Sequence, residues 1–407
     1  MNDIQIKKTV LMVGYTYYEI DPRVIREAEA ALAGGFDVDV LALGKPGSPG
    51  IEMVRGVRLI RLNQAKYRGA GHLRYVLEYL KFVFRCLLKI TWLHWSRKYS
   101  LVHINNMPDF LVFSAIIPRA FGAKVILDIH DPMPDTFESK FQKSKRKRLY
   151  YWLLLLQERL SIAFCNKTIT VHHPVRDGIL LKHGIPPKSL DVIGNFADDE
   201  LFRLRTSYNI AQGVKFVFHG TILERSGLRL LMNALAEVRR KDKIKVKIIG
   251  EGDFSPTLKE MVESLNLSGM VEFDNHSYPV HSIPSLIEDC NVGLVPLEIS
   301  SVTNYALPLK LLEYISMGLP VVSVRSAAIC YYFGEEDCIF FDWDNPSSLS
   351  TVLDRIAEDP KILLRYRERA LAIRERFSWK GEKEKYIALL YELTGASAVA
   401  ALANSAY

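Results

Sequence analysis

Short apolar runs rich in β-branched residues alternate with longer stretches of helical periodicity along the whole chain. Continuous apolar runs are typical of strands in parallel sheets, because helices cover both faces of such sheets. The series begins again after about residue 205, which favours two domains over one large sheet. The pattern therefore predicts an α/β protein with two doubly wound, Rossmann-like domains that face a central cleft. The predicted strands are TVLMVG, DVDVLAL, VRLIRL, LVHIN, KVILDIH, KTITVH and LDVIGN in the first series, and KFVFHGT, KVKIIGEG, VEFDNH, VGLVPL, PVVSV and CIFFDW in the second.

Length and composition agree with two globular domains. A chain of 407 residues, 49% of them hydrophobic, exceeds the size at which one core usually keeps growing. No run of eighteen residues lacks charge, and the N-terminus lacks the pattern of a secretory signal. The five cysteines are far apart and form no CxxC pair. We therefore expect a reduced, cytoplasmic protein without a disulfide framework or a zinc site.

The stretch TNYALPLKLLEYISMGLPVV predicts a short helix with an unusual start. Pro308 suits the first turn of a helix, and Gly318 would end it. The free N–H groups at such a start can bind phosphate, whereas Lys310 is unfavourable beside the positive helix end unless an anion lies nearby. Glu313 could accept hydrogen bonds from sugar hydroxyls. The alternative is an amphipathic helix on which both charged residues face solvent, and the pattern alone does not decide between the two.

Three further segments of the second series place glycines where predicted strands end: VFHGTILERSGLRLL, KIIGEGD and CNVGLVPLE. Gly220, Gly250 and Gly252 would let the backbone approach a ligand closely, and Arg225 follows the first of these turns. A single glycine at a strand end is common. The order and spacing of the segments are more specific and favour a phosphate site in this half.

These segments resemble the family-4 glycosyltransferases, retaining enzymes with the two-domain GT-B fold. The resemblance extends from about residue 9 to 394. In the second half it is carried by HGTILERSGL, VKIIGEGD, SIPSLIEDCNVGLVPL and ALPLKLLEYISMGLPVV, and in the first by DPRVIREAEAALAGGFDVDVLAL, VHINNMPDF, GAKVILDIHDPMPD and VIGNFADDELF. It implies that residues 1–203, joined by a C-terminal crossover helix at about 380–407, bind the acceptor. Residues 204–379 would bind a nucleotide sugar.

The resemblance also implies a donor site. In the family, a lysine of the same PxK form lies on the donor diphosphate together with a basic residue after the first glycine turn, and these correspond to Lys310 and Arg225. Glu313 corresponds to a glutamate that holds the nucleotide ribose. Two cations and a helix N-terminus can stabilise the charge that grows on the β-phosphate without a metal. We therefore expect a UDP- or GDP-linked sugar as the donor, no cofactor and no catalytic metal.

The chain departs from the family's E-x7-E signature, because Tyr305 stands where the first glutamate is expected. Backbone amides around Ala306 and Leu307 are therefore candidates for contacts with the donor sugar. Thr221 stands where many relatives have arginine. Arg225 must therefore supply the positive charge on that side of the phosphate site. The predicted donor-binding residues are Gly220, Thr221, Arg225, Gly250, Gly252, Tyr305, Ala306, Leu307, Lys310 and Glu313.

In the first half, LDIHDPMPD ends a predicted strand with His130 between Asp128 and Asp131. Such a histidine could be oriented by a neighbouring carboxylate, or it could be a structural residue that caps the next helix. In the family the matching histidine lies beside the donor sugar and β-phosphate. The resemblance therefore makes His130, Arg225 and Lys310 the catalytic residues. Front-face departure and attack would need no protein nucleophile, and Asp131 is the alternative nucleophile.

Other polar residues near the ends of first-half strands are expected on the acceptor side. They are Asp21, Arg23, His103, Asn105 and Asp131. Asp21 and Arg23 could instead order the loop after the first strand, and His103 could instead form hydrogen bonds at a strand end. The DxD patterns at residues 37–39 and 342–344 lie at a strand start and after a late strand. We expect neither to bind a metal.

Positive charge is concentrated in residues 51–150, which hold 19 basic and 7 acidic residues. The helix RYVLEYLKFVFRCLLKITWLHW carries cations on one face and leucine and aromatic residues on the other, and residues 143–148 contain five cations before YYWLLLL. This combination fits an anionic membrane surface. Nucleic acid and a solvated helix face are the alternatives, and the aromatic residues favour lipid. The predicted membrane residues are Lys81, Arg85, Lys89, Lys143, Lys145, Arg146, Lys147 and Arg148.

We therefore predict a metal-independent retaining glycosyltransferase of the hexosyltransferase type. It would move a sugar from a nucleotide-diphosphate sugar to a lipid-linked saccharide or polysaccharide acceptor in exopolysaccharide, O-antigen or capsule synthesis. We expect it to be peripheral on the inner face of the cell membrane. The alternatives are a GT-B epimerase or phosphorylase, which would share the phosphate site, and a non-catalytic nucleotide-binding scaffold, which Tyr305 makes conceivable.

Overall fold

The structure, a computed structural model, describes residues 7–67, 72–141, 146–211 and 213–396. The chain divides into two compact units, Met1–Gly194 with Glu382–Tyr407, and Asn195–Gly381. The predicted boundary at residue 203 comes too late in the chain. Phe196, Ala197 and Phe202 are buried in the core of the second unit.

Each unit is built around one sheet, and every strand predicted from the sequence is present. The strands are β1 (Thr9–Gly14), β2 (Asp37–Leu43), β3 (Ile51–Val54), β4 (Val57–Leu62), β5 (Leu101–Asn105), β6 (Lys124–Ile129), β7 (Lys167–Thr170), β8 (Leu190–Val192), β9 (Val214–His219), β10 (Ile244–Ile249), β11 (Val271–Asp274), β12 (Val292–Val295), β13 (Val321–Val324) and β14 (Ile339–Phe341). The first sheet has the order β3-β4-β2-β1-β5-β6-β7-β8 and the second β11-β10-β9-β12-β13-β14.

The helices cover these sheets. They are α1 (Pro22–Ala33), α2 (His72–Arg97), α3 (Ile116–Ala120), α4 (Met133–Phe141), α5 (Lys147–Phe164), α6 (His173–Val175), α7 (Leu228–Glu237), α8 (Ser255–Ser264), α9 (Ile283–Leu286), α10 (Leu309–Ser316), α11 (Ala327–Tyr332), α12 (Pro346–Glu358), α13 (Ile362–Ile373) and α14 (Trp379–Thr394). None of those in the described part of the chain is both long enough and apolar enough to cross a lipid bilayer.

The edge strand β3 was not predicted. It pairs antiparallel with β4 through a tight turn, whereas the other strand pairs of the described chain are parallel. Its residues are largely exposed, so it lacks the continuous apolar run that marks a buried parallel strand. The two α/β units with parallel sheets are as predicted.

Helix α14 contributes to the first unit from Glu382 onward. Tyr386 and Leu390 are fully buried, and the Tyr391 hydroxyl donates a hydrogen bond to the Gly34 carbonyl at 2.9 Å. These contacts fix the helix beside α1. Residues 397–407 lie outside the described part of the chain.

Candidate active site

Helix α10 begins and ends as the sequence predicts. Pro308 precedes it in an extended conformation, and Gly318 follows its end with φ +73°. Leu311, Leu312 and Ile315 are buried and hold the helix on the sheet of the second unit. This packing fixes the first turn of α10, with its free N–H groups, beside the carboxyl end of β9.

Lys310 in that first turn has an unusual environment. Its Nζ lies 3.5 Å from the centroid of the Phe218 ring, and a Cβ atom on Gly220 would lie 3.4 Å from this nitrogen. Among the described residues, no carboxylate lies within ion-pair distance of it. Burial lowers the pKa of Lys310 to about 7, although Glu313 acts in the opposite direction. An anion placed here would restore the charged form.

Glu313 lies one turn further along α10 and is buried. Its Oε2 lies 3.2 Å from Nε2 of His219, the last residue of β9. Burial and the neighbouring Lys310 lower the pKa of His219 to about 3, so this histidine is neutral. The sequence analysis missed His219, and its one signal is its position directly before Gly220.

Two of the predicted donor-site glycines let loops of the second unit approach each other closely. A Cβ atom on Gly250 would lie 1.9 Å from the Gly220 carbonyl oxygen, and one on Gly252 would lie 2.3 Å from the Ile222 carbonyl oxygen. The close approach at Gly250 and Gly252 is therefore between the loops that follow β9 and β10. Gly220 itself lies beneath the Lys310 side chain, with φ +117°.

Arg225 and Thr221 are exposed on the loop after β9. The Arg225 carbonyl accepts a hydrogen bond from the Glu298 N–H at 3.0 Å, and the Ser226 hydroxyl donates to the Thr221 carbonyl at 3.1 Å. The turn is thereby tied to the loop after β12. The Arg225 guanidinium forms no ion pair within the part of the chain that the structure describes.

The segment before α10 corrects one expectation. The Ala306 N–H donates to the Thr303 carbonyl at 3.1 Å, so this amide is not available to a donor sugar. Tyr305 and Leu307 are half-buried on either side of Ala306.

In the first unit, His130 follows β6 and keeps one-fifth of its side chain exposed. Its Nε2 lies 2.8 Å from Oδ2 of Asp128, which confirms that a neighbouring carboxylate orients the ring. Burial works against the charged imidazole, but the interaction with Asp128 raises the pKa of His130.

Asp128 is completely buried and is held by Arg23. The guanidinium donates two hydrogen bonds to the carboxylate, at 2.6 and 3.0 Å, and a third to the Ile193 carbonyl at 3.0 Å. It also lies 3.2 Å from Glu27, whose pKa burial raises. Arg23 is itself buried, so its predicted contact with an acceptor is wrong, and its role is to support the Asp128–His130 pair.

His103 and Asn105 are likewise buried, which corrects their predicted place on the acceptor side. The His103 Nδ1 lies 2.7 Å from the Tyr386 hydroxyl, and burial lowers the pKa of this histidine to about 4. Atoms of Glu27, His103 and Asp128 that could bind a metal lie within 4.8 Å of one another. The Arg23 guanidinium already supplies positive charge to both carboxylates, so a divalent cation would meet repulsion there.

Asp21 and Asp131 occupy the surface positions of the predicted acceptor set. The Asp21 side chain accepts a hydrogen bond from the Val24 N–H at 3.3 Å and so caps α1, while Asp131 is exposed. Asn106, which directly follows β5, accepts a hydrogen bond from the His130 N–H at 2.9 Å and donates one to the Asp131 carbonyl at 2.7 Å. It thereby fixes the loop that carries His130.

The predicted membrane residues lie on α2 and at the start of α5. Lys81, Arg85 and Lys89 follow one another along α2, and the Lys89 Nζ lies 4.6 Å from the centroid of the Trp92 ring. Arg146, Lys147 and Arg148 are exposed. Lys143 and Lys145 lie outside the described residues.

Comparison with known proteins identifies the family. Residues 23–201 match the family model described as Glycosyltransferase Family 4, and residues 213–359 match the one described as Glycosyl transferases group 1. A putative colanic acid biosynthesis glycosyltransferase, WcaL of Escherichia coli, is 26% identical over 165 residues, which are 38% of this chain and 39% of that protein. The chain thus aligns with about two-fifths of that relative.

Two further matches cover more of the chain. One is the N-acetylgalactosamine-N,N'-diacetylbacillosaminyl-diphospho-undecaprenol 4-alpha-N-acetylgalactosaminyltransferase of Campylobacter jejuni, 24% identical over 65% of this chain and 68% of its own length. The other is a crystal structure of Anabaena HepE in complex with UDP, with a TM-score of 0.69 and 15% identity over 95% of this chain and all of that one. The sequence motifs, the two α/β units and both family models agree, and the chain belongs to the family-4 glycosyltransferases.

Proposed function

We propose that the protein transfers a sugar from a nucleotide-diphosphate sugar to a lipid-linked saccharide acceptor, with retention of configuration, in the synthesis of a cell-surface polysaccharide. The observation that carries this proposal is the environment of Lys310. A cation at a helix N-terminus, without a carboxylate partner among the described residues, is unfavourable until an anion binds. The diphosphate of a sugar nucleotide is such an anion.

The reaction breaks the bond between the anomeric carbon and the β-phosphate oxygen, and the electron pair of that bond goes to the phosphate. Lys310, the first turn of α10 and Arg225 would stabilise the charge as it grows. The acceptor hydroxyl attacks the anomeric carbon from the face on which the phosphate leaves, and its proton passes to the departing phosphate. This route retains the configuration and needs neither a protein nucleophile nor a metal.

Glu313 and His130 take the two remaining roles. The buried Glu313 carboxylate beside neutral His219 can accept hydrogen bonds from the ribose hydroxyls of the nucleotide. His130, held by Asp128, would donate a hydrogen bond to the donor sugar or its β-phosphate, as the family resemblance implies. The UDP complex of Anabaena HepE supports a nucleotide-sugar donor, and the printed name of the Campylobacter jejuni relative supports an acceptor on undecaprenyl diphosphate.

A panel of UDP- and GDP-sugars tests the donor site. We expect one of them to raise the Tm and to be hydrolysed slowly. Glu313→Ala should weaken its binding about tenfold or more, because the ribose loses a charged acceptor. Glu260→Ala on α8, which removes an exposed carboxylate, is the matched control and should bind normally.

Product analysis distinguishes the reaction types. With an acceptor, NMR of the new anomeric signal should show the configuration of the donor. An inverted product would contradict the retaining mechanism, and isomerised donor in the absence of acceptor would indicate an epimerase.

The acceptor proposal rests on an exposed apolar layer of the first unit. Helices α2 and α5 both pack against the 3-10 helix Asp109–Ala115. The core face of α2 is formed by Phe82, Cys86, Ile90 and Leu93, whereas Phe84, Leu88 and Trp92 are each more than half exposed. The apolar layer consists of Leu77, Leu80, Phe84, Leu88, Trp92 and Trp95 on α2, Phe113, Ile116 and Phe121 after β5, and Leu149, Trp152, Leu153, Leu156 and Leu160 on α5.

This layer is bordered by the cations of α2 and of the start of α5. Apolar patches of this extent are rare on monomers, and the combination of tryptophan, leucine and basic residues matches an interface with anionic lipid. A protein that acts on a lipid-linked acceptor would use such a face to dock on the inner surface of the cell membrane.

Vesicle binding tests the membrane proposal. Phe84→Ser with Leu88→Ser should lower the fraction that sediments with phosphatidylglycerol vesicles at least tenfold, because each substitution removes exposed apolar area that would enter the lipid. Tyr331→Ser with Leu364→Ser removes exposed apolar area from the second unit and should sediment like wild type. Equal sedimentation of both variants would place the lipid contact elsewhere.

A further inference from the structure

A cavity of about 410 Å³ opens at the edge of the first unit where strands β1, β5 and β6 begin. Lys8 directly precedes β1, Lys98 lies between α2 and β5, and Lys124 is the first residue of β6. The carboxyl ends of the same strands, with Asp128 and His130, lie at the opposite edge of the sheet. This cavity is therefore separate from the candidate active site.

The lining of the cavity is basic, and no acidic residue of the described chain contributes to it. The three lysines are exposed, and none of them forms an ion pair with any of the described residues. Trp95 and Phe121 form an aromatic wall, with ring centroids 5.0 Å apart in an edge-to-face arrangement. Three unpaired cations beside an aromatic wall favour an anion that carries a ring or an apolar group.

His94 supplies an independent observation. His94 is one of the lining residues and is 7% exposed, yet its Nδ1 has no hydrogen-bond partner among the described residues. Buried polar atoms are rarely left unpaired in native proteins. Burial also lowers the pKa of His94, so the ring is neutral and can donate one hydrogen bond without adding charge. A ligand oxygen that reached this nitrogen would satisfy it.

Lys98 has a backbone conformation that glycine would adopt more easily, with φ +47°. The backbone conformation at this position would therefore favour glycine over lysine. With Lys8 and Lys124 it can neutralise a group of about two negative charges, which is the charge of a phosphate monoester near neutral pH.

We propose that this cavity binds the phosphate group of an ester whose remaining part packs against Trp95 and Phe121. The ester is a soluble metabolite or the headgroup of a membrane lipid, since both present the same chemistry. The site does not depend on the proposed glycosyl transfer, but it shares Trp95 and Phe121 with the apolar layer.

The conformation of Lys98 provides a clean variant. Lys98→Gly removes one cation of the cavity and relieves the left-handed backbone, so the fold should be kept. Arg55→Gly is the matched control, because Arg55 is also an exposed cation with φ +48° but lies in the turn between β3 and β4. Both are made in a chain that also carries Lys310→Met, so that phosphate bound in the second unit does not contribute.

The probes are glycerol 3-phosphate and glucose 1-phosphate in solution, and vesicles of phosphatidylcholine with or without phosphatidic acid. Lys98→Gly should lower the affinity for one class of probe about tenfold, while Arg55→Gly changes it less than twofold. If Lys98→Gly loses affinity for the soluble esters alone, the ligand is a soluble metabolite. If it loses affinity for phosphatidic acid vesicles alone, the ligand is a lipid headgroup. No binding of any probe, or equal losses in the two variants, would overturn the proposal.

Discussion

Replacing Lys310 with methionine is expected to lower kcat/KM for the sugar nucleotide about 100- to 1000-fold. Methionine keeps the apolar contact with Phe218 but removes the one cation in the first turn of α10. The loss should appear mainly in kcat, because charge on the β-phosphate is greatest in the transition state. Steady-state kinetics with the donor identified by the panel gives both constants.

Lys259→Met on α8 is the control for this result. Lys259 is exposed and makes no ion pair with the described residues, so its replacement should change kcat/KM less than twofold. Wild-type kinetics in Lys310→Met would show that the diphosphate binds elsewhere.

Asp128→Asn is expected to lower the free energy of unfolding by about 3 kcal/mol, because it removes the charged carboxylate that accepts two hydrogen bonds from the buried Arg23 guanidinium. The same change should lower kcat/KM at least tenfold, since His130 loses the group that orients it. Denaturant unfolding measures the first effect, and donor turnover measures the second.

Asp39→Asn separates the two effects. Asp39 is also buried in the first unit, where Arg58, Arg97 and Tyr99 donate to it, so its replacement should cost similar stability without loss of turnover. The pH profile gives a second test. Asp128 raises the pKa of His130, so in Asp128→Asn the pKa falls and the alkaline limb of kcat/KM should move to lower pH. An unmoved limb would leave Asp128 with a structural role only.

The sequence predicted the parallel strands well because most of them are apolar runs that are largely buried. Helix α10 was predicted from local signals at its two ends, Pro308 and Gly318, that do not depend on distant contacts. The orientation of His130 by Asp128 was also predictable from the sequence. The two residues are two positions apart, and side chains with that spacing in an extended segment point to the same side.

The predictions that failed depended on contacts between distant segments. Arg23 lies in the first turn of α1 and His103 lies within β5, and tertiary packing buries both side chains. The partner of His103, Tyr386, comes from the far end of the chain. Phe84 and Leu88 are apolar residues that the structure leaves exposed. Helical periodicity does not say which of the two apolar stripes of α2 faces the core.

The central claim is that Lys310 receives a diphosphate, and proton uptake on binding tests it most directly. The pKa of Lys310 is about 7 in the empty site, and a bound diphosphate would raise it. Sugar nucleotides carry no phosphate group that titrates near pH 7, so uptake would report the protein. Titration calorimetry with UDP-glucose or GDP-mannose, in buffers of different ionisation enthalpy, measures it. Wild type should take up roughly half a proton at pH 7 and bind more weakly as the pH rises above 7, while Lys310→Met should take up none. Equal affinity and equal proton uptake in the two proteins would contradict the account.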